Sequence, residues 1–377
     1  MQSDEIRSRF LSFFEKKEHK IIESSSLIPE GDISVLFTTA GMQQFKGYYS
    51  APESAMRDFN TKNVTTVQKC VRTGDMEEVG DATHLSFFEM LGNFSFGGYG
   101  RKEAISYAYE FITKELGLQI SYVTIYKGEG IVPKDEESLS IWASLDSNLD
   151  IREDGSDVFW GPTGNSGPCG PTTEIYCKNA EGVDVEVWNV VFNEYFCDGS
   201  REQLDKGQAT LKKLDVLGID TGMGLERLVS IVQKTETVYE TDLFKNVINI
   251  IKESSENYNE KSARIIADHF RTAVFLISDG VIPSNKDQGY VLRRLIRRAV
   301  LKMQFIKANN VLTVNLLKSF IDSYSPVYQN LKTTDIKTIF ELEKEKFHNT
   351  VAHGLKEFEK GVDPFILATT YGFPIEL

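Results

Sequence analysis

Arg72 is the first residue whose type and position suit phosphate chemistry. It ends the run Cys70-Val-Arg and falls on the same face of a predicted strand as Thr66 and Gln68. The planar guanidinium group of arginine matches a pair of phosphate oxygens, so a cleft over this face would bind phosphate. The next predicted strand supplies Phe88-Glu-Met-Leu-Gly, whose aromatic and small residues suit the floor of a site for a planar ring. Each pattern alone is also compatible with an ordinary role, as a solvated charge or as core packing.

The segment Asp215–Leu228 predicts a strand, a glycine-containing turn and a helix. The strand ends at Asp220, and the glycines at 222 and 224 would let a ligand approach the backbone. The helix that follows has a buried apolar stripe, and Arg227 lies in its first turn. This combination indicates a site for a triphosphate and a second substrate. The alternative is a tight turn before a helix that carries a surface arginine.

A helix with a basic face is predicted over Tyr290–Lys307. Its apolar residues share one arc, and no acidic residue occurs between its two ends. The whole chain has a formal charge of −13, so any contact with a nucleic acid would have to be local. The opposite arc is either a phosphate-binding surface or an ordinary solvated face, and it contains Arg293, Arg294, Arg297 and Arg298.

Several classes of protein are excluded by what the 377 residues lack. There is no GxxxxGKS/T loop, no GxGxxG turn and no HExxH helix, so nucleotide or metal chemistry would need another framework. The four cysteines form no CxxC pair, which predicts free thiols and no zinc. Apolar runs are far shorter than a membrane span, and Met1-Gln-Ser-Asp-Glu lacks the apolar core of a signal peptide. We therefore predict a cytoplasmic globular protein with no membrane contact.

Predicted strands must position the residues around Arg72 and the segment that ends at Asp220, and a predicted helix must position the basic face. A helix is predicted over Ser3–Lys17, and strands over Val35–Thr39, Val64–Thr73, His84–Phe96, Val185–Phe196 and Asp215–Asp220. The Gly- and Pro-rich stretch Gly161–Pro171 is predicted to be a functional loop. Beyond about residue 240 the patterns are helical, over Asp242–Lys252, Lys261–Ser278, Tyr290–Lys307 and Asp335–Glu359. The predicted fold class is therefore α+β, a sheet with covering helices followed by a helical domain.

In combination these motifs resemble those of alanyl-tRNA synthetases, which are class II enzymes. The matching runs are Phe37-Thr-Thr-Ala-Gly-Met, Cys70-Val-Arg, Phe87-Phe-Glu-Met-Leu-Gly-Asn-Phe-Ser-Phe-Gly, Gly167-Pro-Cys-Gly-Pro, Val187-Trp-Asn-Val-Val-Phe and Asp220-Thr-Gly-Met-Gly-Leu-Glu-Arg, and the resemblance extends to Tyr371-Gly-Phe-Pro. It implies a catalytic domain with an antiparallel class II sheet over 1–239, and a helical domain over 240–377 that recognises the acceptor stem of tRNA. It also implies an alanine–tRNA ligase activity, which forms alanyl-adenylate from L-alanine and ATP and transfers alanine to the 3′ end of tRNA(Ala).

The resemblance also assigns roles to individual residues. Arg72 and Arg227 would be the catalytic cations, on the α- and γ-phosphates of ATP, because in-line attack on phosphorus concentrates charge on phosphate oxygens. Phe88 and Met90 would border the adenine, with Gly224 beside them, and Mg²⁺ would accompany ATP with Glu186 as a ligand. The alanine site would comprise Trp160, Asn189, Val191, Asp220 and Gly222, with Asp220 on the ammonium group. Asn285 would read the minor groove of the acceptor stem, beside Arg293, Arg294, Arg297 and Arg298.

Some features depart from the family pattern, and other functions remain open. The loop after Arg72 lacks a lysine and a histidine that often occur there, and Thr172 stands where many members have a cysteine. Because the sequence ends at Leu377, we expect the editing and carboxy-terminal domains of the family to be absent from this chain. One rival is a synthetase-like protein that binds alanine, ATP or tRNA without turnover. A free-standing editing hydrolase does not fit, because the histidine and cysteine metal cluster is missing.

Overall fold

The structure is a computed structural model that describes residues 1–31, 35–332, 334–363, 365–367 and 373. The chain forms two compact units, one of residues 1–72 and 87–245 and the other of residues 73–86 and 246–377. Of the predicted run Tyr371-Gly-Phe-Pro, all but Phe373 lies outside the described residues. None of the helices in the described ranges is both long and apolar enough to cross a lipid bilayer.

A nine-stranded sheet forms the centre of the first unit. Its strands are β1 (Lys20–Ile21), β2 (Asn63–Val71), β3 (Phe87–Phe96), β4 (Tyr122–Tyr126), β5 (Ile151–Asp154), β6 (Phe159–Trp160), β7 (Gly167–Lys178), β8 (Asp184–Cys197) and β9 (Leu211–Gly224). They lie in the order β1-β2-β3-β9-β8-β7-β4-β5, with β6 beside β7. The central pairs are antiparallel, as predicted, whereas β1–β2 and β4–β5 are parallel.

The two faces of this sheet pack against different apolar clusters. The helices of the unit are α1 (Ser3–Glu15), α2 (Lys46–Ser50), α3 (Pro52–Phe59), α4 (Arg101–Glu110), α5 (Glu136–Leu145), α6 (Arg201–Asp205) and α7 (Leu225–Gln233). Leu91 of β3 belongs to the large core with residues of α1, α4 and α7. Phe94 and Phe96 belong to a smaller cluster with Tyr49 and, at its edge, Met90. Because side chains alternate along a strand, the smaller cluster lies on the opposite face.

The second unit is helical in its described residues outside 73–86. Its helices are α8 (Lys245–Glu253), which starts at the last residue of the first unit, α9 (Glu260–Ser278), α10 (Asp287–Phe305), α11 (Leu312–Tyr324) and α12 (Ile336–Glu359). The side chain of Asn259 caps α9, and that of Asp335 caps α12, each by accepting a backbone N–H in the first turn. Helix α9 is buried along most of its length, and its Arg271 donates to the hydroxyl of Tyr324 at 3.1 Å.

The α+β prediction is confirmed, with differences in single elements. The predicted strand Val35–Thr39 is wrong, because its described residues form no strand and make isolated backbone bonds such as Thr38 N to Leu27 O. Strand β7 begins inside the stretch predicted to be a loop, and β9 continues through the two glycines to Gly224. The predictions rested on the positions of β-branched residues and glycines. Whether such a segment forms a strand depends on hydrogen bonding to neighbouring strands, which those positions do not reveal.

A buried ion pair ties α1 to β3. Arg7 Nε donates to Glu89 Oε1 at 2.9 Å, and Arg7 Nη2 donates to the other carboxylate oxygen. The two side chains are 7% and 0% exposed. Such a pair contributes little relative to an apolar substitute, but loss of one partner leaves an expensive buried charge.

Glu89→Ala should therefore lower the free energy of unfolding by about 3–5 kcal/mol, because the Arg7 guanidinium group would lose this buried carboxylate. Urea denaturation measures the change. The matched control is Glu5→Ala, which removes an exposed pair between Glu5 and Arg9 on the same helix and should cost at most about 0.5 kcal/mol. Equal losses in the two variants would contradict the role given to the buried pair.

Candidate active site

Two central strands bring the predicted alanine-site residues onto one face of the sheet. In the β8–β9 register, Val191 lies opposite Asp220 and Asn189 lies opposite Gly222. Directly opposed residues of an antiparallel pair project from the same face, with Cβ atoms roughly 4.5–5.5 Å apart. The four residues therefore form one cluster.

Strand β7 adds two polar residues that were not assigned to a site from the sequence. Thr172 lies opposite Val191, and Glu174 lies opposite Asn189. Thr173, between them, points to the other face, where its hydroxyl accepts a hydrogen bond from Trp142 Nε1 at 2.8 Å. Recognising the start of a strand at Gly167 would have revealed this alternation.

Asp220 is a buried carboxyl group with no side chain to balance its charge. The residue is 5% exposed, and in the part of the chain that the structure describes its side chain makes no hydrogen bond or ion pair. Desolvation by burial raises the pKa of Asp220 to about 8. Since buried charges are normally paired, this group needs either a proton or a cationic ligand.

Two further polar atoms of the cluster are buried without a hydrogen-bond partner among the described residues. They are Asn189 Oδ1 and Thr172 Oγ1. An unsatisfied buried acceptor costs about 1–3 kcal/mol, so native proteins rarely keep several of them together without a reason. With the Asp220 carboxyl group, they make this face an incomplete site that a hydrogen-bond donor would complete.

Apolar residues limit the size of this site. Trp160 pairs with Gly170 of β7 and packs against the same cluster as Met90. A Cβ atom at Gly222 would lie 3.0 Å from the sulfur of Met90, so a larger residue there would displace Met90. Val191 is only 3% exposed. These apolar residues border the polar cluster.

The two predicted phosphate-binding arginines lie at the same end of the sheet. Arg72 directly follows β2, and Arg227 is the third residue of α7, which directly follows β9. Both strands are antiparallel to β3, so their carboxyl ends lie together. The guanidinium carbon of Arg72 is 5.0 Å from the ring centre of Phe88, and its Nε donates to Thr39 O at 3.3 Å. Gly224 lies opposite Met90 and leads into α7.

The carboxylate of Glu186 lies beside Arg227 at this end. Arg227 Nη1 donates to Glu186 Oε2 at 3.3 Å, and both side chains are partly exposed. Burial, and secondarily the charge of Glu186, raise the pKa of Glu174 to about 7. Among the residues described, no group of three or more His, Cys, Asp or Glu side chains could hold a metal by itself. The arrangement fits Mg²⁺, which typically takes one or two carboxylates and completes its shell with substrate phosphates and water.

On α10, in the second unit, the structure differs from the expected continuous basic ridge. Arg297 Nε donates to Glu343 Oε1 of α12 at 2.7 Å. Arg298 donates to the carbonyl oxygen of Met76 and lies 3.3 Å from His269 Nε2. These two arginines are therefore engaged inside the unit, because α12 and the segment 73–86 cover them.

Arg293 and Arg294 lie on a more open part of α10. Arg294 pairs with Glu77 and keeps 50% of its side chain exposed. Arg293 donates to Asn285 Oδ1, so the predicted minor-groove reader lies beside a guanidinium group. The structure thus brings Asn285 into contact with Arg293, one of the four predicted arginines.

A buried network holds the segment 73–86 within the second unit. Asp268 accepts a hydrogen bond from Ser86 N at 2.8 Å and contacts His269 Nδ1 at 2.9 Å. Burial lowers the pKa of His269, which keeps the ring neutral, with its proton directed at Asp268 and Nε2 left to accept from Arg298. This network had no recognisable signal in the sequence, since the adjacent pair Asp268 and His269 is far from Ser86 and Arg298 along the chain.

Comparison with known proteins identifies the family. The profile of the family described as tRNA synthetases class II (A) matches residues 5–377, and the chain belongs to that family. A pyrrolysyl-tRNA synthetase structure from Desulfitobacterium hafniense aligns with 64% of this chain and 72% of its own, at 12% identity and a TM-score of 0.38.

The relatives narrow the family further. An alanine–tRNA ligase of Borrelia hermsii (strain HS1 / DAH) is 38% identical over 422 residues, which cover all of this chain and 68% of that protein. An alanine–tRNA ligase of Dehalococcoides mccartyi (strain CBDB1) is 39% identical over 416 residues, covering all of this chain and 45% of that protein. Within class II, the family is that of the alanine–tRNA ligases. The chain spans about half the length of most of the curated relatives it matches, such as the Dehalococcoides protein at 45%.

Asp220→Asn should stabilise the protein at alkaline pH. The pKa of Asp220 rises from 3.8 to about 8 on folding, so the folded state loses stability as the pH rises through this window. The amide of the variant does not ionise and so avoids this loss. Its free energy of unfolding should exceed that of the unchanged protein by a few kcal/mol near pH 8.5 and by less towards pH 5, since one pKa unit corresponds to about 1.4 kcal/mol. Thermal and urea denaturation at the two pH values measure this.

The control is Asp150→Asn, which changes an exposed carboxylate paired with Arg152. It should not gain stability with rising pH. An Asp220→Asn variant that is no more stable than the unchanged protein at pH 8.5 would show that ionisation of the buried carboxyl group does not destabilise the folded protein.

Proposed function

We propose that this chain activates L-alanine with ATP, forming alanyl-adenylate and pyrophosphate, and transfers the alanine to the 3′ end of tRNA(Ala). The observation that carries the proposal is one sheet with a buried, unbalanced carboxyl group at its centre and two arginines at one end. The ammonium group of an amino acid can pair with this carboxyl group, and the phosphates of ATP can bind to the two arginines. The proposed site of action is the cytoplasm.

The ammonium group of alanine pairs with Asp220 in this proposal. A positive ligand favours the ionised carboxylate and so offsets the burial that raises the pKa of Asp220. Asn189 contributes a second acceptor on the same face. Trp160, Val191 and Gly222, with Met90 over the glycine, admit the methyl side chain and resist larger ones. The selectivity for alanine is therefore steric on one side and electrostatic on the other.

ATP binds at the end of the sheet where the two arginines lie. Arg72 contacts the α-phosphate and Arg227 the γ-phosphate, with the adenine bordered by Phe88 and Met90 and the backbone accessible at Gly224. When the carboxylate of alanine attacks the α-phosphorus, pyrophosphate leaves and negative charge gathers on the phosphate oxygens. Fixed guanidinium groups stabilise that charge without reorganising, which is why positioned cations rather than a general base serve this reaction.

Mg²⁺ is the cation proposed to accompany ATP. Glu186 would hold it, together with phosphate oxygens, in exchange for part of its present contact with Arg227. When bound, the ion neutralises charge on the phosphates. The exposed position of Glu186 allows this exchange without unfolding the strand.

Recognition of tRNA is proposed for the helical part of the chain, residues 240–377, and activation for residues 1–239. Asn285, Arg293 and Arg294 form the proposed contact with the acceptor stem, because Asn285, just before α10, accepts a hydrogen bond from Arg293 and the neighbouring Arg294 is half exposed. Arg297 and Arg298 are not included, since their guanidinium groups are held inside the unit. The segment 73–86 packs with the helical unit although it directly follows Arg72 in sequence.

The unchanged chain should catalyse alanine-dependent exchange of labelled pyrophosphate into ATP. Arg227→Ala should reduce kcat/KM for ATP by about 100-fold or more, because it removes a cation that stabilises the transition state. The control is Arg152→Ala, an arginine on the edge strand β5 of the same sheet, which should leave the exchange unchanged. A folded chain with no exchange would leave only the hypothesis of binding without turnover.

Arg294→Ala should weaken tRNA binding by an electrostatic amount. We expect the slope of log Kd against log salt concentration to fall by about 1, the change for one lost phosphate contact, since each contact releases counterions. Filter binding between roughly 50 and 200 mM salt measures the slope. Lys318→Ala, which removes an exposed lysine on α11 of the same unit, is the control. An identical slope for Arg294→Ala and the unchanged chain would remove this residue from the interface.

A further inference from the structure

Glu174 occupies the centre of β7 and has no place in the reaction as described above. Its side chain is buried, with 8% of the residue exposed, and it lies directly opposite Asn189 on the face that carries Asp220. A buried carboxyl group in a sheet is uncommon unless specific contacts hold it. Its contacts therefore indicate what it does.

Both oxygens of this carboxyl group are occupied. Oε1 accepts a hydrogen bond from Asn189 Nδ2 at 3.1 Å, and Oε2 accepts one from the hydroxyl of Tyr176 at 2.8 Å. The backbone N–H of Glu174 donates to Thr124 Oγ1 at 3.1 Å, which fixes the strand beside β4. The carboxyl group is thus held from two sides and cannot swing away from Asn189.

These contacts determine which way the amide of Asn189 faces. The ionised Glu174 carboxylate only accepts hydrogen bonds, so above its pKa of about 7 it selects the NH₂ group of the Asn189 amide and rejects the flipped orientation. Asn189 Oδ1 is then the remaining polar atom, and it is buried without a hydrogen-bond partner among the residues described. An ammonium group has three donors, and Asp220 and this oxygen are two acceptors for it.

We propose that Glu174 is a positioning residue that orients the Asn189 amide so that Oδ1 accepts a hydrogen bond from the ammonium group of the amino acid substrate. The inference rests on the proposed function, because it assumes that an amino acid binds beside Asp220. Glu174 does not touch the substrate itself. Through Asn189, Glu174 affects the binding of the amino acid and not the binding of ATP.

Pyrophosphate exchange by four proteins tests this role, namely the unchanged chain, Glu174→Ala, Asn189→Ala and the double variant. Glu174→Ala should raise KM for alanine by about 10-fold or more, the effect of losing one hydrogen bond to a charged group. KM for ATP and kcat should change by less than about 3-fold. In the double variant the effect of Glu174→Ala should disappear, because residues that act through one contact are not additive.

Glu174→Gln supplies the matched conservative variant. Its amide oxygen can still accept from Asn189 Nδ2, so it should recover most of the affinity for alanine that Glu174→Ala loses. It also keeps the volume of the side chain, which makes it the variant to rely on if the alanine substitution impairs folding. A melting temperature for each variant separates loss of folding from loss of affinity.

The outcomes are distinct. If the unchanged chain shows no exchange, the proposed function fails and this inference fails with it. If the unchanged chain is active but the effects of the Glu174 and Asn189 substitutions add, or KM for ATP rises as much as KM for alanine, the function stands and the positioning role is overturned. Failure of Glu174→Gln to recover affinity would overturn it as well.

Discussion

The constraint at the centre of the first unit is a carboxyl group that is buried away from water and has no partner among the residues that the structure describes. Asp220 projects from a central strand onto the same face as Asn189, and burial raises the pKa of Asp220 to about 8. An isolated buried charge opposes folding, so the rest of the unit has to offset the stability that is lost at this site. The large apolar core on the opposite face is placed to do that.

The two faces of the sheet therefore have different tasks. One is covered by α1, α4 and α7 and is closely packed, while the other leaves polar atoms unsatisfied and is walled by Met90, Trp160 and Val191. The antiparallel order also gathers Arg72, Glu186 and Arg227 at one end, since β2 and β9 both end there and β8 begins there. A ligand with an ammonium group at one end and phosphates at the other matches this distribution of charge.

Much of this could be predicted because the signals were local. Period-2 spacing placed Asn189 and Val191 on one face, and the glycines before Arg227 marked the passage from β9 to α7. Other features depended on contacts between distant segments, which a single sequence does not reveal. Glu174 was missed because β7 begins inside a stretch rich in glycine and proline. The engagement of Arg297 and Arg298 was missed because Glu343 and Met76 are far from them along the chain.

The most direct test of the central claim is the titration of the Asp220 carboxyl group itself. Carbon NMR of protein labelled at the aspartate side-chain carboxyl, with Asp220→Asn to assign the signal, would follow this group with and without alanine. We expect this group to titrate near pH 8 in the free protein, in line with its burial, and its pKa to be lower by roughly 1–3 when alanine is bound, because an adjacent ammonium group favours the ionised form. A free group that titrates near its ordinary value, or one that alanine does not shift, would contradict it.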